Sequence, residues 1–222
     1  MRLRHLAALS IALTACLSQA NAATIDWTTW SSNAAGSIVT TGGPVGVTFA
    51  GEMSGLATNY PSWTPSATWA DGSVVANGPS QMGGMVRLLG GGGREAGIDT
   101  LTFAQAVVNP VIAIWSLGSG NAQARFDFIG ATPVLVAGGP SAEYGGSGLS
   151  IIGNSVLGSE GNGTIEFIGT FTSLSWTNPA YENYYGFTVG TSGLPPIPEP
   201  DTYLLLAGGL TALAFLGRRR KL

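Results

Sequence analysis

In the body of this chain the apolar residues recur with a period of two more often than with the 3.6 of a helix. In Gly163-Thr164-Ile165-Glu166-Phe167-Ile168, Ile165 and Phe167 fall on one side with Glu166 opposite; in Arg125-Phe126-Asp127-Phe128, two aromatics alternate with two charges. A period of two puts successive side chains on opposite faces of an extended strand, whereas a helix needs its apolar residues three and four apart. The same pattern over Val45 to Phe49, Gly84 to Leu89, Ile98 to Phe103, Val111 to Trp115, Pro133 to Val136, Phe171 to Trp176 and Tyr185 to Val189 predicts further half-buried strands. Between them stand Gly-Gly, Gly-Pro, Asn-Gly and Asp-Gly pairs, which are turn signals. Of the 34 glycines only Gly208, Gly209 and Gly217 lie near the C-terminus, so the strands and turns hold the rest. Many short strands with glycine-rich turns predict an all-β fold, an antiparallel β-sandwich of jelly-roll or lectin-like type over residues 23–190. The stretch from Asn59 to Ser80, rich in Pro, Ser, Thr and Trp, reads as a long loop over one face of that sandwich.

The two ends do not fit this pattern. MRLRHLAALSIALTACLSQANAA has a positive start at Arg2 and Arg4, an apolar core from Leu6 to Leu17, and a small-x-small site at Ala20-Asn21-Ala22. These are the three parts of a secretory signal peptide, with residues 1–22 removed and Ala23 left as the new N-terminus. The apolar core is too short for a membrane helix, which needs roughly 20 residues. Leu13-Thr14-Ala15-Cys16 offers a competing cut, because it resembles a bacterial lipobox in which Cys16 becomes the lipidated first residue. The apolar core continues through Leu17 and the Ala-x-Ala site follows it, which favours the later cut.

The other end reads PPIPEPDTYLLLAGGLTALAFLGRRRKL. Residues 191–197 read as a Pro-rich linker, and about 202–217 as a hydrophobic transmembrane helix. At ~1.5 Å per residue that helix is about 24 Å long, slightly short of the ~30 Å hydrocarbon core, so it inserts only with some thinning of the bilayer. Arg218, Arg219, Arg220 and Lys221 are placed to hold its end on the cytoplasmic side, leaving Pro198-Glu199-Pro200 outside. The order of parts, Pro198-Glu199-Pro200, then Leu204-Leu205-Leu206 and Gly208-Gly209-Leu210, then the Arg cluster, resembles the PEP-CTERM sorting signal over residues 198–222. The resemblance implies that an exosortase, a polytopic membrane protease or transpeptidase, recognises the tail. The protein would pause in the inner membrane through its C-terminal helix and then be released to the bacterial cell surface or an extracellular polysaccharide matrix. GTFTSLSWTNPAYENYYGFTVG and GGPSAEYGGSGL also resemble segments of exported β-domains that carry such tails, which supports the architecture more than any activity.

The body excludes several classes of function. Outside the two ends the cations are Arg87, Arg94 and Arg125 against ten carboxylates, a net charge of −7 that repels nucleic acid and anionic lipid. The single His, Cys and Lys are His5, Cys16 and Lys221, all in the terminal segments. A Ser-His-Asp triad, a cysteine nucleophile, a Schiff-base lysine or a His-bound zinc therefore has no residues to be built from. Leu89-Gly90-Gly91-Gly92-Gly93-Arg94 looks like a phosphate cradle but lacks the Lys and the Ser or Thr of a P-loop, and reads as a hairpin loop. Asn162-Gly163-Thr164 matches a glycosylation acceptor and reads as a turn.

What remains is a set of acids and a set of aromatics. Asp71, Asp99, Asp127, Glu143, Glu160, Glu166 and Glu182 would serve a glycoside hydrolase or an oxygen-rich calcium site only if some converge, and spacing does not show convergence. The expectation is no metal and no cofactor, with calcium the one ion left open. The segment from Trp176 to Tyr185 combines aromatic faces with Asn and Glu, a combination that stacks on sugar rings and hydrogen-bonds their hydroxyls. Trp176, Tyr181, Glu182 and Tyr184 are thus the candidate glycan-binding residues, with Tyr181 and Tyr184 as the exposed platform and Trp176 also suited to closing the core. The reading is a non-enzymatic, exosortase-sorted surface or matrix protein with a structural or adhesive role. The alternatives are a carbohydrate-binding module and, third, a carboxylate-based polysaccharide hydrolase. Ice binding is disfavoured, since no flat threonine array is visible.

Overall fold

The computed structural model describes residues 21–58, 63, 65–89, 97–180, 182 and 184–195. Within them lie fifteen strands in two antiparallel sheets. The first sheet contains β1 (Asp26–Trp27), β5 (Met53–Ala57), β6 (Met85–Leu88), β8 (Val111–Leu117), β10 (Val134–Pro140), β13 (Gly161–Glu166) and β15 (Tyr185–Thr191). Its order is β10-β13-β8-β15-β6-β5, with β1 also pairing with β15. The second contains β2 (Thr29–Trp30), β3 (Ala35–Thr40), β4 (Gly43–Ala50), β7 (Ile98–Val108), β9 (Ala124–Phe128), β11 (Ser147–Ile152), β12 (Ser155–Ser159) and β14 (Thr170–Thr177), in the order β11-β12-β9-β14-β7-β4-β3-β2.

The pairing is nested. β6 pairs with β15 and β8 with β13 in the first sheet, while β7 pairs with β14 and β9 with β12 in the second. From β6 to β10 each successive strand changes sheet, so the chain goes out along one set of strands and returns along their partners.

Alternation explains why the sheets face each other. Phe126, Phe128, Leu174, Trp176, Leu101 and Phe103 project from the second sheet onto Val86, Leu88, Ile112, Ile114, Ile165 and Phe187 of the first, and all are buried in one core. The outward phase holds the polar partners, as where Arg125 Nε meets Asp127 Oδ2 at 2.9 Å on the exposed face of β9. Each large side chain removed from water contributes on the order of 2 kcal/mol, and edge-to-face and offset ring contacts add specificity.

β8 and β15 depart from simple alternation because every residue in them is buried. Their outer face is covered by the segment between β5 and β6. Trp63 and Trp69 from that segment pack with Met85, Ala113 and Trp115, and Thr164 Oγ1 donates to the Trp69 carbonyl at 2.7 Å. A strand covered on both sides becomes a continuous apolar run, and Val111-Ile112-Ala113-Ile114-Trp115 has that composition.

Where β8 meets β12 the backbones come too close for side chains. A Cβ on Gly158 would lie 2.5 Å from the Leu117 carbonyl oxygen, and Gly118, at φ +82, would place one 2.2 Å from that of Gly158.

Two sequence expectations change here. Asn162 lies within β13 rather than in a turn; it is buried, and its Oδ1 accepts from the Ser116 amide at 2.7 Å, so it is no glycosylation acceptor. Residues 191–194, expected to begin the linker, belong to the sandwich. Thr191 ends β15 and donates through Oγ1 to the Val108 carbonyl at 2.6 Å, Val108 bridges to Gly193, and Leu194 packs against the core. The physical reason is that Thr191 supplies a buried hydroxyl and Leu194 an apolar side chain, and both are satisfied by the sandwich. Cys16, Pro198, Glu199, Pro200, the helix expected at about 202–217, and Arg218, Arg219, Arg220 and Lys221 lie outside the described residues. Among the described residues no helix is long and apolar enough to cross a membrane.

Candidate functional site

The exposed aromatic corner is built at one end of the first sheet. Gly186 of β15 stands opposite Arg87 of β6 on one side and Trp115 of β8 on the other. Directly opposed residues share a face of the sheet, so Arg87 and Trp115 flank a position without a side chain. Into that gap comes Tyr184, one residue before β15. Its ring centroid lies 5.5 Å from that of Trp115, and the Arg87 guanidinium carbon lies 4.9 Å from the Tyr184 centroid.

Tyr144 completes the corner from the turn between β10 and β11. Its ring is 6.0 Å from Trp115 and 5.9 Å from Tyr184, and it stands at 84° to the latter. Trp115 is buried beneath, whereas Tyr144 and Tyr184 are 48% and 43% exposed. The two tyrosines thus present an L-shaped apolar corner with hydroxyl tips, suited to one sugar ring or a chain end rather than to a flat crystalline surface.

The turns that carry the tyrosines are held locally. The Ser141 hydroxyl accepts from the Glu143 and Tyr144 amides at 3.3 and 3.2 Å, and Ser141 exchanges backbone hydrogen bonds with Gly145. The Ser141 amide also donates to the Glu160 carbonyl at 3.1 Å. Glu160 and Ser116 both adopt positive φ, 56° and 55°, and Ser116 Oγ donates to Glu160 Oε2 at 2.7 Å. This left-handed kink is stabilised by the Asn162 side chain on the Ser116 amide. On the other turn, Glu182 Oε1 accepts from the Tyr184 amide at 3.0 Å, so its carboxylate fixes the approach of Tyr184.

The predicted glycan residues therefore separate. Tyr184 is in the corner and Glu182 supports it; Tyr181 lies outside the described residues. Trp176 is fully buried, with Phe49, Phe126, Phe128 and Phe187 within 5.4 to 5.8 Å, so it closes the core and presents no face to a ligand. Its phase with Leu174 explains this, since both project inward from β14. Tyr144 was not among the candidates. Its only sequence signal is an aromatic in a glycine-rich turn, and the β10–β13–β8 pairing that brings that turn to Trp115 is long-range.

The acids are spread over the fold. Asp127 is paired with Arg125 and accepts from Ser155 at 2.5 Å. Asp71 caps the turn at Ser73 to Val75; desolvation pulls its carboxyl up, but the Ser73 hydroxyl and the Val75, Val74 and Ser73 amides hold it down at about 2. Burial raises the Glu166 carboxyl, and the Asp71 charge adds to that.

Asp99 is the exception. It occupies an inward position of β7, opposite Trp176 of β14, and is fully buried. Its Oδ1 accepts from the Glu52 amide at 2.7 Å and its Oδ2 from Asn178 Nδ2. The approach of Gly51 is so close that a Cβ there would fall 1.9 Å from Asp99 Oδ1. Burial raises the Asp99 carboxyl to about 7, the Glu52 amide working against that shift and the Glu52 charge adding to it. Burial pushes the pKa of the Tyr185 hydroxyl up, and the charges of Asp99, Glu182 and Glu52 push it further.

A shallow depression lined by Gln123, Arg125, Leu157, Pro179 and Ala180 borders the loop after β14. Among the described residues no group of three or more His, Cys, Asp or Glu side chains is arranged to hold a metal ion.

No curated protein and no solved structure matches this chain. Its C-terminal end does match a known pattern, which marks the chain for export and for exosortase sorting toward the cell surface. Residues 196–221 match the PEP-CTERM protein-sorting motif.

Proposed function

We propose that the protein is a structural or adhesive component of the bacterial surface or its polysaccharide matrix, which contacts polysaccharide through Tyr144 and Tyr184. The sorting motif, which implies export of this β-sandwich toward the cell surface, supports that reading. The observation that carries the binding role is the perpendicular tyrosine pair, nearly half exposed and seated on a buried tryptophan. Such rings lose little conformational freedom on binding, because packing below already fixes them. The nested strand pairing supports reading the body as a jelly roll, with the corner at the end of one sheet. After membrane pausing through residues of about 202–217, cleavage near Pro198-Glu199-Pro200 would release the body.

The test is retention of the purified protein on its native matrix polysaccharide, compared with Tyr144→Ala and Tyr184→Ala. Loss of about 1–3 kcal/mol per ring, on the order of tenfold or more in affinity, is expected for each stacking residue. Equal retention of all three proteins would remove the corner as the binding site. Terminal peptide mapping checks the sorting route separately, with a C-terminus near residues 198–202 expected and a retained tail counting against release.

A further inference from the structure

Among the described residues, the pocket around Asp99 holds more oxygen atoms than hydrogen-bond donors. Glu52 Oε2, Asn178 Oδ1 and the Tyr185 hydroxyl are all buried without a hydrogen-bond partner, while each Asp99 oxygen accepts one hydrogen bond. Asn178 and Tyr185 are each 1% exposed. The Asn178 amide bonds Asp99 Oδ2, and Tyr185 is near enough for the Asp99 and Glu52 charges to act on its hydroxyl. Glu52 lies with its side chain against Gly97, two residues before Asp99.

We propose that Asp99, Glu52 and Asn178, with Tyr185 beside them, form a binding site for a divalent cation of the calcium type. A buried carboxylate is costly unless paired with a cation or hydrogen-bonded, and the unpartnered oxygens around it add to that cost. A proton on Asp99 relieves one of these oxygens; a hard cation relieves several at once. The donor set is entirely oxygen, which suits calcium rather than a metal that prefers imidazole or thiolate. Turning the Asn178 amide over would direct its oxygen, in place of Nδ2, toward the Asp99 carboxylate. With only two carboxylates, the affinity falls in the range of extracellular modules, roughly 10⁻⁴ to 10⁻³ M. That range fits an exported protein, the one point at which the inference leans on the sorting motif.

The site joins three segments distant in sequence: the turn between β4 and β5, the start of β7, and the loop that runs from Asn178 to Tyr184. A bound cation therefore fastens that loop to the sandwich.

Terbium tests this directly, because Trp176 faces Asp99 across the β7–β14 pair and can sensitise its luminescence. The full chain is titrated with Tb³⁺ under tryptophan excitation, then with competing Ca²⁺, alongside Asp99→Asn, Glu52→Gln and Asp71→Asn. The expected result is a saturable signal displaced by Ca²⁺, weakened at least about tenfold in Asp99→Asn and Glu52→Gln and unchanged in Asp71→Asn. Melting midpoints of the unmodified protein in Ca²⁺ and in EGTA provide a readout that needs no variant, and Ca²⁺ is expected to raise the midpoint. The proposal is overturned by equal midpoints, by no Tb³⁺ signal, or by a signal that Asp99→Asn and Glu52→Gln retain. None of these readouts involves polysaccharide, so failure here leaves the tyrosine corner standing.

Discussion

Replacing Trp176 by alanine separates a core tryptophan from a ligand-binding one. The side chain is fully enclosed, with four phenylalanines in ring contact. A buried indole removes roughly 200 Å² from water, which at about 25 cal/mol per Å² corresponds to about 5 kcal/mol. Partial burial in the unfolded chain lowers that figure, and loss of an indole N–H that has no hydrogen-bond partner returns about 1 kcal/mol. Residual cavity and lost ring contacts work in the opposite direction, and measured Trp→Ala changes in cores cost about 3–5 kcal/mol. We expect about 4 kcal/mol. For an m-value near 2 kcal/mol/M in urea this is a fall of about 2 M in the unfolding midpoint. Equilibrium urea unfolding followed by circular dichroism gives the number. Polysaccharide retention is then measured under conditions where the variant remains folded, and it should equal that of the unmodified protein. A midpoint shift below about 0.5 M, or loss of retention in a folded variant, would refute the assignment of Trp176 to the core.

Other perturbations follow from positions already described. Tyr184→Ala is expected to change unfolding free energy by less than about 1 kcal/mol while reducing polysaccharide retention, the reverse of Trp176→Ala, and a loss of fold would contradict it. Asn162→Ala leaves the Ser116 amide without its buried acceptor and should cost about 1–3 kcal/mol by urea unfolding; an unchanged midpoint would mean that this hydrogen bond is not made. Gly158→Ala drives a Cβ into the Leu117 carbonyl and is expected to lower the melting midpoint strongly, so an unchanged midpoint would mean the two backbones are not in contact. The Asp71 carboxyl is held near 2, below its ordinary 3.8, so its capping contribution is present above 3.8 and lost as pH falls through 2. Hydrogen exchange at Val74 and Val75, corrected for intrinsic rate, should therefore accelerate in that window. Protection independent of pH would count against the cap.

The strands with strong alternation were readable because burial on one face leaves its mark at every second residue. β9, β13 and β14 carry large apolar residues in phase, and β8 carries an unbroken apolar run. β3, β11 and β12 were not readable in the same way, because half or more of their residues are Gly, Ser or Ala and their large apolar residues include adjacent pairs that show no phase. The β11–β12 hairpin did leave one signal, Gly153-Asn154 between two apolar pairs, with Ile152 opposite Ser155. Asp99 was also legible in principle, since it lies in phase with Leu101 and Phe103 and an acid in an inward position is unusual. Its partner Glu52 was not, because only pairing between distant strands brings the turn after β4 beneath it. The same holds for Tyr144 and Trp115. Alternation tells which face a residue occupies, and long-range pairing decides whom it meets there.

The docking of residues 191–194 has a mechanical consequence. The sorting tail leaves the body from the end of β15, an interior strand bonded to β8 and β6 and, at its last residues, to β1. Tension applied at this end of the described residues and directed along the strand would be carried by β15. It loads the hydrogen bonds of both neighbouring strands in shear, many at a time, rather than peeling an edge strand away one bond after another. A sandwich pulled in that direction would therefore resist at an interior strand rather than at an edge.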